Sequence, residues 1–141
     1  MHGRHLFAKL GLFALLGVQL APAQTVPENP ALGRLLHAAM FALGPVGYAG
    51  QTSPEERDYR QILAQPNALA SFEELFARGN KQAKSYALAG MRQLSPARFR
   101  ELYATLPDPN AKVHTMHGCI VSDETLRQVA LSLASSSNPG E

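Results

Sequence analysis

Tryptophan is absent from this chain, and cysteine occurs once, at Cys119. A single thiol excludes an internal disulfide, so apolar burial and not a covalent staple must hold the fold together. Apolar runs long enough to anchor the chain are missing too. The run LGLFALLGVQL, Leu10 to Leu20, is about half of the ~20 residues a helix needs to cross a bilayer, which argues against a permanent membrane anchor. The glycine-rich stretch GPVGYAGQT at 44–52 is neither a phosphate loop nor a dinucleotide fingerprint, because nothing strand-like precedes it and no Lys-Ser/Thr pair follows. Its glycines read as turn positions, with Tyr48 folding back onto the core.

The amino terminus carries Arg4 and Lys9 with no acid, then the apolar run, then Ala21-Pro22-Ala23. That order predicts a cleavable export signal over 1–23, cut after Ala23, which places the rest of the chain in the periplasm or outside the cell. No cysteine stands near the cut, which excludes lipoprotein processing. The all-round apolar character of the run and its Ala-Pro-Ala ending fit a first core helix poorly. Loss of the leader leaves eleven Lys and Arg against eleven Asp and Glu. A neutral chain gives no warrant for nucleic-acid binding, despite the basic precursor. The 118 residues left after such a cut make one domain. In an oxidising compartment an unpaired cysteine is anomalous, so an intermolecular disulfide through Cys119 is one expectation.

Along the chain, 24–29 reads as an extended leader, 30–134 as a single helical domain and 135–141 as a disordered tail. Asn29-Pro30 opens a first helix with Leu32, Leu35, Leu36, Ala39 and Leu43 on one stripe, stopped by Gly44-Pro45. Ser53-Pro54-Glu55-Glu56 opens a second as a capping box, with Glu56 and Arg60 paired one turn apart. A third turns Leu69, Phe72, Leu75 and Phe76 inward and closes at Gly79 in a left-handed cap. The fourth has the cleanest period, through Ala83, Tyr86, Ala87, Gly90, Met91 and Leu94, and its small residues admit a close neighbour. Ser95-Pro96 begins a fifth, with Phe99, Leu102, Tyr103 and Leu106 inward, and Pro107-Asp108-Pro109-Asn110 ends it. A sixth is predicted from Ser122, burying Leu126, Val129, Ala130 and Leu133.

VHTMHGCIV, Val113 to Val121, is β-branched at both ends and reads as a strand or a buried extended segment. If it and GPVGYAGQT are both extended they would pair, in a ribbon that must lie against the helices. The one- and two-residue connections between the third, fourth and fifth helices force antiparallel neighbours. The expected class is therefore mainly α, a small antiparallel helical bundle or α-hairpin stack, with room for a short two-stranded β element. No internal repeat at a fixed period is present.

Candidate chemistry concentrates at His114-Thr115-Met116-His117-Gly118-Cys119, where two imidazoles, a thioether and the thiol form a donor set for Zn or Cu. In an extended chain His117 and Cys119 share one face and His114 and Met116 the other, so convergence needs a turn at Gly118. The alternative is an inward Cys119 packed as a small hydrophobe, with both histidines at the surface. A Cys-His nucleophilic pair lacks an orienting third group. Glu55, Glu56, Asp58, Glu73 and Glu74 read as solvated helix faces. Arg78, Lys81, Lys84, Arg92, Arg98 and Arg100 occur with no acid between Leu75 and Arg100. Lys81 and Lys84, one turn apart, would form a basic strip for anionic lipid or an acidic partner, or an ordinary solvated face.

The stretches FALGPVGYAGQTSPEE, SYALAGMRQLSPARF and HTMHGCIVSDETL resemble a family of small exported bacterial proteins of unknown function, some named after a gene in a microcin cluster. The resemblance covers most of the chain after the leader. It implies a second cysteine in relatives at the position of Ala89, suited to a bridge with the Cys119 position. That partner is absent here, in keeping with a packed thiol. No activity, cofactor or catalytic residue comes with the resemblance. The chain is thus expected to be a non-enzymatic helical module for an envelope or protein partner, or else a small metal-binding protein using His114, His117 and Cys119.

Overall fold

The computed structural model describes residues 29–136; the leader expected at 1–23, residues 24–28 and all but Ser135 and Ser136 of the tail expected at 135–141 lie outside the described residues, and Ser135 ends the last helix. Among the described residues the chain is mostly helical, with a small two-stranded antiparallel sheet. The helices are α1 (Pro30–Leu35), α2 (Pro54–Leu63), α3 (Ala68–Arg78), α4 (Lys81–Leu94), α5 (Pro96–Ala104) and α6 (Leu126–Ser135). Strands β1 (Lys112–His117) and β2 (Ile120–Thr125) lie between α5 and α6. None of these helices is long and apolar enough to cross a membrane.

Helix α4 is the centre of the fold and packs on α3, α5, α6 and β1. Its buried residues run without a break from Ser85 to Met91, so the stripe seen in the sequence widens to enclose the whole middle of the helix. Leu94, the last member of that stripe, is exposed. Gly90 lies under the ring of Phe72 from α3, and a β-carbon there would overlap the ring. The predicted close approach at a small residue is therefore real, and Phe72 is the side chain that uses it. On α3, Phe72 and Leu75 are buried, but Leu69 is exposed and Ala68 and Ser71 face inward instead.

Gly79 corrects an expectation. Its backbone is extended, φ −73 and ψ 162, and not left-handed. Glycine is required there for space: a side chain would strike Ala83 Cβ and the Leu75 carbonyl oxygen. Asn80 then caps α4 with its side chain, accepting from Ala83 N at 2.8 Å.

The first helix is shorter than its apolar stripe suggests. It starts as expected, with Asn29 Oδ1 accepting from Ala31 N at 3.1 Å and Pro30 in the first turn, but ends at Leu35. Beyond it the backbone finds better partners elsewhere in the molecule. Asn80 donates to the Leu36 and Ala38 carbonyls at 3.1 and 2.9 Å. The Phe41 N–H donates to His114 O at 2.8 Å, and its carbonyl accepts from Met116 N at 3.0 Å. The buried Tyr86 hydroxyl accepts from Ala42 N at 2.9 Å and donates to Ala42 O at 3.0 Å. One phenol from the central helix thus pairs both polar groups of a buried residue on this strap.

Helix α2 is tied in by ions as well as apolar contact. Ser53 Oγ accepts from Glu56 N at 3.0 Å, but the Glu56 carboxylate does not return to Ser53. It accepts from Gly44 N at 3.0 Å and from Arg60 at 2.6 Å, so only half of the expected capping box forms. Arg34 on α1 grips Asp58 on α2 through two bonds of 2.5 and 2.9 Å. Glu56 and Asp58 are buried structural acids and not a solvated face. No buried side-chain nitrogen or oxygen among the described residues lacks a partner.

Candidate functional site

The segment rich in donor side chains folds as a hairpin. Gly118-Cys119 is a two-residue loop, with Gly118 at φ 60 in its first position, where a tight turn with right-handed strand twist needs glycine. The turn fixes the register: His117 faces Ile120, Thr115 faces Ser122 and His114 faces Asp123. Ser122 to Thr125, expected to begin the last helix, instead complete β2. That helix begins at Leu126 behind a reciprocal capping box between Thr125 and Gln128. Its first N–H groups donate to Ala111 O and Pro109 O at 2.9 and 3.0 Å, which anchors the turn before β1 to the helix after β2.

The glycine-rich stretch pairs with the donor segment only at single points. Phe41 bridges Thr115 and Val46 bridges Gly118, both parallel, with Gly47 N donating to Gly118 O at 2.9 Å. The strap 41–47 therefore covers the outer edge of β1. Val121 and Asp123 have no backbone partner among the described residues on the other side of β2.

The hairpin's inner face is a polar network. Thr115, fully buried, donates to Glu124 Oε1 at 2.8 Å and accepts from Ser122 Oγ at 3.0 Å. His117 donates from Nε2 to the same Glu124 oxygen at 3.1 Å, so Glu124 reaches diagonally over Thr115 to an exposed imidazole. On the opposite face His114 Nδ1 donates to Asp123 Oδ1 at 2.9 Å. That bond, with the nearby His114, Lys112 and Lys81 charges, holds the Asp123 carboxyl below its ordinary range.

These positions decide how the candidate residues relate. His114 and His117 point to opposite faces of β1, each engaged by a carboxylate, and Cys119 is exposed in the turn. The three are not brought to one point, and no group of three His, Cys, Asp or Glu able to hold a metal ion occurs among the described residues. Cys119 is not packed as a small hydrophobe, because the two-residue turn carries it past the end of the core. Ala89, where the resemblance implies a second cysteine, is buried in α4.

Apolar side chains accompany the thiol outward. Ile120 is 70% exposed and Val121 48% exposed, on opposite faces of β2. Tyr48 is fully exposed and does not fold back onto the core as expected. The Gly47–Gly118 bond holds its loop against the hairpin turn. Tyr48, Cys119, Ile120 and Val121 are thus all exposed around the hairpin turn, with Ile120 and Val121 on its two faces.

The basic strip on α4 does not assemble. Lys84 Nζ donates to Phe76 O at 2.6 Å, with its ammonium 5.5 Å from the Phe76 ring centre, so it closes the end of α3. Partial burial lowers its pKa. Lys81 is exposed beside it. Arg78 pairs with Glu74, and Arg98 with Glu73 at 2.6 Å and Glu101 at 2.9 Å. Acids from α3 and α5 thus pair with Arg78 and Arg98 of the acid-free run.

The alternation of His114-Thr115-Met116-His117 is readable as a strand, but its main partner is Ile120–Thr125, and the glycine-rich stretch meets the segment only at Val46–Gly118. Taking Gly118-Cys119 as a two-residue loop would have placed His114 opposite Asp123 from the sequence alone. The Thr125-x-x-Gln128 signature, which marks the true helix start, was the missed signal. No family model, curated protein or solved structure matches the chain.

Proposed function

We propose that the chain is an exported, non-enzymatic module that binds a protein partner at the cell envelope or outside the cell through its hairpin tip. The observation that carries this reading is the exposed cluster of Tyr48, Cys119, Ile120 and Val121. Single exposed apolar residues are ordinary on a protein surface, but several gathered around one turn fit a surface that a partner covers. The basic residues at the amino terminus, the apolar run and Ala21-Pro22-Ala23 support export, as does the resemblance to exported bacterial proteins. In an oxidising compartment a partner thiol meeting Cys119 would form a mixed disulfide, with two electrons and two protons passing to the compartment's own oxidant. Short connections at Gly79-Asn80 and Ser95 support reading α3, α4 and α5 as an α-hairpin stack that carries this tip on a stiff base.

The test is a photo-crosslinking residue placed at Ile120, with a control at Leu69, in cells that make the protein. A discrete adduct from position 120 alone, in an extracytoplasmic fraction whose chain begins at Gln24, is the expected result. Equal labelling from both positions, or an uncut chain in the cytosol, sinks the reading.

A further inference from the structure

Behind the hairpin, away from its tip, a cleft of about 430 Å³ opens between the strap, the inner face of the hairpin and α6. That volume falls in the range of small-molecule sites. Phe41 and Leu43 wall it from the strap, and Val129 and Leu133 from α6. Polar groups break this apolar lining: His117, Ser132 and Ser136, and the two charged residues Glu124 and Arg92. Glu124 stands at one part of it, already engaged by Thr115 and His117. Arg92, from the last turn of α4, stands at another.

Arg92 differs from the arginines that bind the fold together. Arg34, Arg60, Arg78 and Arg98 each hold a carboxylate. Arg92 is half-buried, has no carboxylate partner among the described residues, and donates only to the Ser136 carbonyl. A guanidinium has five N–H donors in a fork that matches a carboxylate, so most of its donor capacity remains open toward the cleft. A half-buried cation with no carboxylate bonded to it among the described residues, beside an apolar wall, favours an anionic and partly apolar occupant.

We propose that this cleft binds a small amphipathic carboxylate, its head group on Arg92 and an aliphatic or aromatic tail against Phe41, Leu43, Val129 and Leu133. The site is separate from the tip surface and does not depend on the partner reading. An uncharged ligand of the same shape would keep the wall contacts and lose the paired charge. A short chain fits the volume.

Sodium octanoate and uncharged octanamide, titrated into the protein purified after expression with its own amino terminus and followed by amide NMR, test the proposal. Octanoate is expected to saturate, to shift Val129 and Leu133, and to bind about tenfold tighter than octanamide. Arg92→Gln should erase that preference while leaving the melting temperature within a few degrees, since no internal ion pair is lost. Equal binding of the two probes, shifts away from the cleft, or no saturation overturns the proposal. So does octanoate binding that appears only in a chain ended at Ser136, because residues 137–141 would then be the natural occupant.

Discussion

Helix α4 and the hairpin treat their side chains in opposite ways. On α4, the polar groups at the buried centre are matched: Ser85 donates to Lys81 O at 3.0 Å, and Tyr86 serves both backbone groups of Ala42. On the hairpin, apolar side chains are turned outward and unmatched, while the histidines hold acids that water can reach. The core converts polar atoms into fixed structure because an unpaired group there costs more than its bond returns. The hairpin tip leaves hydrophobic surface uncovered, which lowers nothing in the isolated chain and gains only when something covers it. Stability is concentrated in the first region, and the proposed recognition would draw on the second.

Mutation should separate the two. Phe72→Ala empties the ring packed over Gly90 and removes contacts with Tyr59, whose ring centre is 5.5 Å away. Urea unfolding should show a loss of about 3–5 kcal/mol. A loss below about 1 kcal/mol would mean that the core does not depend on this contact.

Tyr86→Phe comes next, at about 1–3 kcal/mol, because it orphans the Ala42 N–H and carbonyl without making a large void. The same residue links stability to pH. Burial pushes the Tyr59 and Tyr86 phenols up to about 12. A raised acid favours its protonated form in the folded state, so this stability is complete below the unfolded value of about 10 and is lost as pH rises toward 12. Unfolding midpoints recorded across that window should fall less steeply in Tyr86→Phe than in the parent chain. Parallel curves would show that the phenol does not contribute.

The smallest effect is expected at the tip. Ile120→Ser should change stability by about 0.5 kcal/mol or less, since the side chain is 70% exposed. The same change should abolish the crosslinked adduct recorded from a neighbouring probe at Val121. A large stability loss from Ile120→Ser would erase the distinction between a stabilising core and a recognising tip.

Much of the helical part was legible because its signals are local. Asn29-Pro30, Ser53-Pro54 and Ser95-Pro96 each mark a helix start within about a residue, since a capping side chain or a fixed proline φ acts on the next turn alone. The α1 stripe misled because Leu36 to Leu43 carry a helical spacing that an extended strap also satisfies, and distant groups on Asn80, β1 and Tyr86 chose the strap. The candidate site was legible as a cluster of types and not as an arrangement. Nothing local to His114 or His117 announces the acids that engage them, because Asp123 and Glu124 arrive only when the Gly118-Cys119 turn folds the chain back. The cleft was invisible, since its walls come from residues near 41, 92, 117 and 129.

The sequence by itself determined the helix starts at Pro30, Pro54 and Pro96, the periodic face of α4 and the lack of any internal disulfide. Each follows from torsional preference, hydrophobic period or residue count, which act over one or two turns of chain. Only the tertiary structure decided that Cys119 faces out, that Lys84 caps a helix and Glu56 is buried, and that Arg92 lines a cleft with no carboxylate bonded to it among the described residues. Those outcomes depend on which distant groups compete for the same hydrogen bond or the same covered surface, and that competition is settled only once the chain has closed on itself.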